Sequence, residues 1–133
     1  LLPEIDLLVA WGTIGGVAAK ELAGGVPTVF VSVGAPVEIG LVRSLAHPGG
    51  NMTGISFEAA TETYGKRLQL LKEIVPALQR VAVLRAVSDP NVGFAMPSLE
   101  AALPELGVTL VSVDIESADD LDPAFAKINE MIE

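Results

Sequence analysis

The sequence predicts an α/β fold built on parallel sheets, and three observations carry that expectation. The strand candidates are continuous apolar runs, not alternating ones, as suits strands covered on both faces. Helical patterns lie between them, the alternation that βαβ units require. Hydrophobic residues make up 50% of the 133 and mean hydropathy is +0.53. Such a chain can bury enough apolar surface to offset its ordering entropy, which excludes disorder. The length allows one ordinary domain or parts of two.

Asp6–Ala10 is the first strand candidate, reached directly from Leu1-Leu2-Pro3-Glu4. Ile14–Ala23 is Ala-rich and helical in pattern, with Gly24-Gly25 as its stop. Thr28–Val33 is the second strand candidate. Ala46-His47-Pro48-Gly49-Gly50-Asn51 has no apolar period and reads as the strongest loop, dividing a front part of about fifty residues from a back part of about eighty. Thr53–Ser56 is the third strand candidate. Tyr64, Leu68, Leu71 and Val75 then mark one helix face, closed by Pro76. Arg80–Leu84 is the fourth strand candidate and Val108–Val113 the fifth.

Between Asn91 and Leu106 the apolar residues suit a helix, but Pro97 and Pro104 interrupt it. An interior proline costs ~3 kcal/mol, so the regular part is expected to begin near Pro97, with a kink at Pro104. Gly107 supplies the cap. Asp122-Pro123 suits an N-cap followed by the first helical residue, with Ser117–Leu121 as the turn before it. Phe125, Ile128 and Ile132 form the stripe of that last helix. Without an initiator Met at Leu1, or a Gly or Asn cap at Glu133, both ends read as cuts through a larger protein.

Composition narrows the function. With 8 Lys+Arg against 17 Asp+Glu, the net charge is −9, which disfavours a nucleic-acid partner. There are no cysteines and one histidine, so disulfides and thiol nucleophiles are excluded, and a zinc site would need mostly carboxylates. No apolar run reaches membrane-span length.

Three turns could carry binding. Gly12-Thr13-Ile14-Gly15-Gly16 follows a strand and opens a helix, where N–H groups and the Thr13 hydroxyl attract a carboxylate or phosphate. The alternative is that Thr13 only N-caps the helix and the glycines serve packing. Neither the dinucleotide fingerprint nor a Walker lysine is present. Ser32-Val33-Gly34-Ala35-Pro36 is a second strand end, where ligands gather in open α/β sheets, or else a plain turn. Ser88-Asp89-Pro90-Asn91 is the third. Asp89 could accept from an ammonium or hydroxyl, and Asn91 could bond a ligand or cap the next helix. Trp11 is read as packing at a strand end rather than as a stacking platform. His47 is read as a solvated loop residue, and Asp119-Asp120-Leu121-Asp122 as the acidic start of a helix. No serine stands in a G-x-S-x-G context, and no nucleophile–base pair can be assembled.

Several segments resemble the ABC transporter substrate-binding protein family, whose better-known members bind aromatic amino acids. They are Val29-Phe30-Val31-Ser32-Val33-Gly34-Ala35-Pro36-Val37, the run from Gly40 through Pro48-Gly49-Gly50-Asn51-Met52-Thr53-Gly54 to Ser56, Gly65–Glu73, and Val81–Leu84. The resemblance implies a type I periplasmic-binding-protein-like fold, with parallel sheets flanked by helices in two lobes, a hinge between them and ligand in the cleft. Residues 1–55 would be the later part of lobe one, ending in a hinge crossing, and 56–133 the early part of lobe two. The implied ligand-binding positions are Gly12, Thr13, Gly34, Ala35, Asp89 and Asn91. Ala35 stands where many members have an aspartate, and an alanine offers an α-ammonium no counter-charge.

The implied function is the solute-binding component of an ABC importer that captures an amino acid or related compound, without catalysis, metal or cofactor. The implied location is periplasmic or extracytoplasmic, membrane-associated in some members, with an ABC permease as partner. The alternatives are a nucleotide- or phosphate-binding enzyme domain and the effector-sensing domain of a regulator. For a piece of a larger fold, exposed apolar patches predict self-association.

Overall fold

In the computed structural model, which describes residues 5–132, the five apolar runs become five strands, each paired in parallel within its own sheet. Leu1–Glu4, Glu133 and the side chain of Ile132 lie outside what the structure describes. The chain forms two compact units, the first up to Thr61 and the second from Glu62.

In the first unit, β1 (Leu8–Trp11), α1 (Gly12–Leu22) and β2 (Thr28–Gly34) form a βαβ unit, and β3 (Met52–Glu58) adds to β2. The order is β1-β2-β3, all parallel. Gly24, at φ +64°, supplies the left-handed residue just after α1. No helix joins β2 to β3 among the described residues; turns and bends over 35–51 make the crossing. That loop is tied to the sheet. Asn51 Nδ2 donates to the Val26 carbonyl at 2.8 Å, and Thr28 N–H donates to the Asn51 carbonyl at 2.8 Å. The Pro-Gly-Gly-Asn loop thus lies inside the first unit.

The core of this unit is Ala10, Ala19, Phe30, Val33, Leu41, Val42 and Met52. α1 and the segment carrying Leu41 and Val42 cover one sheet face. A Cβ at Gly54 would overlap the Phe30 carbonyl oxygen, so only glycine lets β3 approach β2 here. Val9, Trp11, Ile55 and Phe57 stand exposed on the opposite face, where no described helix packs. Trp11 is 74% exposed, so it does not pack against the core.

The second unit holds α2 (Thr63–Ile74), β4 (Arg80–Ala86), α3 (Val92–Leu106), β5 (Thr109–Ile115) and α4 (Leu121–Ile132). β4 and β5 pair in parallel. α2 packs on α3 through Gly65, whose N–H donates to Ser98 Oγ at 3.0 Å. Tyr64 meets the Phe94 ring edge-on, and the Arg67 guanidinium lies over Tyr64.

Two helix boundaries differ from expectation. α3 starts at Val92, five residues before Pro97, and runs through both prolines. Each proline is exposed, so the carbonyl it leaves without a helical donor can meet water, while Met96 anchors the buried side. Gly107, at φ +60°, ends the helix as the sequence indicates. α4 starts at Leu121, after a 3₁₀ turn at Ala118–Asp120, and Asp122 is not its N-cap. The cap is a reciprocal pair in which Ser117 and Asp120 bond each other's backbone. Pro123 falls within the first turn, where a missing N–H costs nothing. The stripe is displaced as well: Ala124 is buried, and Phe125 is 53% exposed.

Candidate functional site

The C-terminal ends of β1, β2 and β3 lie together in the first unit. Gly12, at φ +74°, makes the turn from β1 into α1, a conformation that disfavours any residue with a Cβ. No side chain caps α1; Trp11 occupies the N-cap position in an extended conformation. Thr13 is therefore not the cap. It is 5% exposed, and its hydroxyl oxygen accepts the Gly34 N–H at 3.0 Å. This bond joins the start of α1 to the end of β2. The glycine-packing reading holds at Gly16, where a Cβ would crowd Leu41 and Val33.

Gly34 and Ala35 are both buried. Ala35 sits at φ +43° and Ser32 at φ +59°, the left-handed region that side chains rarely enter. They flank a bulge where the β2–β3 register shifts. Ala35 N–H donates to the Glu58 carbonyl at 2.7 Å. Ser56 braces the same place. Its hydroxyl lies within bonding distance of the Val33 and Glu58 carbonyls, at 2.8 and 2.6 Å, and accepts the Glu58 N–H. Glu58 is buried, at 6% exposure, so a carboxylate stands at the end of β3.

In the second unit, Asp89 and Asn91 are brought together after β4. Asp89 Oδ1 accepts from Asn91 N–H at 2.9 Å and from Asn91 Nδ2 at 2.7 Å. Asn91 holds the N-cap position of α3, but its side chain does not cap the helix. Thus Gly12, Thr13, Gly34 and Ala35 form one cluster, and Asp89 and Asn91 form another.

Reasoning from sequence missed Glu58 and the bracing role of Ser56. The available signal was position: Ser56 and Glu58 end a strand run just as Gly34 does. Nothing in the sequence announces left-handed backbone at Ser32. His47 is exposed as expected, and Ser44 is bonded to its backbone. Among the described residues, no group of three or more His, Asp or Glu could hold a metal ion. Among them, too, no helix is long and apolar enough to cross a membrane. The cavity beside Pro36, Gly54 and Ser56 measures about 30 Å³, room for one water rather than a solute.

The profile of the ABC transporter substrate binding protein family matches residues 3–133. The chain belongs to this family. A curated tyrosine-binding protein from Clostridioides difficile is 28% identical over 123 residues, 92% of this chain and 35% of that protein. A solved conserved domain protein from Vibrio cholerae superposes with TM-score 0.84 at 29% identity, covering 97% of this chain and 43% of its own. An ABC domain from Streptococcus pneumonia in complex with L-Trp gives TM-score 0.81 at 20% identity, over 96% of this chain and 42% of that one, a likeness of fold. The chain thus spans 35–43% of the length of these three proteins.

Proposed function

We propose that this chain is part of the solute-binding component of an ABC importer. The whole protein would capture an amino acid or related compound in a cleft between two lobes. Residues 1–55 are assigned to the later part of lobe one and 56–133 to the early part of lobe two, with β3 as the strand that leads across. The observation that carries this reading is the gathering of Gly12, Thr13, Gly34 and Ala35 at the C-terminal ends of parallel strands, cross-braced by the Thr13–Gly34 bond. Open α/β sheets bind ligands at such ends. Asp89 and Asn91 stand at the corresponding end of β4 and supply polar groups from the second lobe.

The role is capture without turnover, and hinge closure supplies the specificity. Such a component works outside the cytoplasm and delivers solute to a membrane permease. The tyrosine-binding relative and the L-Trp complex support an amino-acid ligand. The test is a thermal-shift and calorimetric panel on the longer polypeptide that contains this chain, using L-tyrosine, L-tryptophan, other amino acids, ATP and NAD. Stabilisation by an amino acid is expected, with weak or no binding by the 133-residue chain alone. Stabilisation by ATP or NAD, with none by small solutes, would replace this reading with a nucleotide-binding enzyme.

A further inference from the structure

We propose that the Glu58 carboxylate receives the ammonium group of the captured solute and so makes the site select amines. The inference rests on the solute-binding reading above and adds the residue that sets its charge preference. Glu58 is the last residue of β3 and, among the described residues, the only ionisable side chain that is buried, at 6% exposure. It follows buried Met52 by strand alternation on the covered face of the sheet, whereas Thr53, Ile55 and Phe57 are exposed on the other. Further chain can only deepen such burial.

The backbone holds Glu58 against the strand-end cluster. It pairs with Gly34 at the final rung of the β2–β3 ladder, after two register shifts. Ala35 N–H donates to its carbonyl at 2.7 Å, and Ser56 Oγ accepts its N–H at 3.1 Å. Gly34 N–H in turn donates to Thr13 Oγ1 at 3.0 Å, so the start of α1 and the ends of β2 and β3 are tied in one row. Left-handed backbone at Ser32 and Ala35 flanks the shifted rungs. Strain of that kind persists where the surrounding structure fixes a functional site.

Charge decides which ligand group fits. Gly12, Thr13, Gly34 and Ala35 carry none, so Glu58 gives this corner its sign. A carboxylate has about four acceptor positions, so one bonded within the protein still accepts from an ammonium. Little water screens it, and a cation is held more firmly there than at the surface. A phosphate would meet like charge at the same place.

The test uses the longer polypeptide that contains this chain. Calorimetry compares L-tyrosine and L-tryptophan with their des-amino counterparts, hydroxyphenylpropionate and indolepropionate. The wild type should bind an amino acid at least about tenfold more tightly than its counterpart. Glu58→Gln keeps the shape and removes the charge. It should abolish the preference through lost amino-acid affinity, with the counterpart bound as before or better. A purely structural role would weaken both alike and preserve the ratio. Glu58→Asp keeps the charge but draws it back by one methylene and should narrow the preference, a comparison that stands even if Glu58→Gln fails to fold. Equal binding of amino acid and counterpart by the wild type overturns the proposal and leaves the solute-binding reading intact. So does a preference that survives in folded Glu58→Gln or is unchanged in Glu58→Asp. Binding of ATP or NAD and of none of these solutes overturns that reading itself.

Discussion

Thr13 shows how a residue at a binding-type turn also braces the scaffold. Its hydroxyl oxygen is the acceptor for the buried Gly34 N–H. Thr13→Val keeps the shape and removes the acceptor, so that N–H is stranded. The expected loss is about 1–3 kcal/mol in urea unfolding followed by circular dichroism, with Thr13→Ser close to wild type. At Gly54 the constraint is space. A methyl group would meet the Phe30 carbonyl, so Gly54→Ala should cost about 3 kcal/mol in the same measurement. Thr13 and Gly34 were legible as strand-end residues, because small and polar residues cluster there in the sequence. Their bond was not, since its partners stand 21 positions apart and only the folded sheet joins them. The left-handed backbone at Ala35 and Ser32 was hidden for a different reason: neither is glycine, yet both adopt the conformation that glycine favours.

At the scale of elements, α3 is where local preference lost to packing. Propensity alone would start the helix at Pro97. The Gly65–Ser98 contact and buried Met96 draw the whole Val92–Leu106 segment into one helix. Pro97→Ala would restore a donor for the Gly93 carbonyl and should stabilise by up to about 3 kcal/mol, read as a higher urea midpoint. The start of α4 was misjudged because Asp122-Pro123 is a plausible cap in isolation, whereas Ser117 and Asp120 complete a reciprocal one.

That cap makes a pH prediction. The Glu116 and Ser117 N–H groups hold the Asp120 carboxyl below its ordinary range, and the Arg85 hydrogen bond does the same for Asp114. With folded values below the unfolded one of about 3.9, the unfolded chain binds protons first. The stabilisation is complete above about pH 5 and is lost as pH falls through the unfolded and then the folded values. Asp120→Asn should therefore be less stable at neutral pH and show a shallower acid-unfolding slope below about pH 4, followed by circular dichroism.

At the scale of the molecule, the number, order and parallel pairing of the strands follow from apolar runs that patterning makes visible. The coverage of the sheets does not. A run such as Thr28–Val33 looks alike whether one face or both are packed, and only the folded unit shows Trp11 and Ile55 bare. The net charge of −9 has a global effect as well. Self-repulsion is screened by salt, so the melting temperature should rise by a few degrees between about 10 mM and about 0.5 M NaCl, measured by scanning calorimetry.

The helix-free passage from β2 to β3 also sets an order of assembly. β1, α1 and β2 are close along the chain and can zip together through short-range encounters. β3 must return across a flexible span whose closure entropy is paid before any ladder bond forms. The third strand should then be the last to dock during refolding and the first to peel away. Damage to it would shorten the lifetime of the native state more than it delays the state's formation.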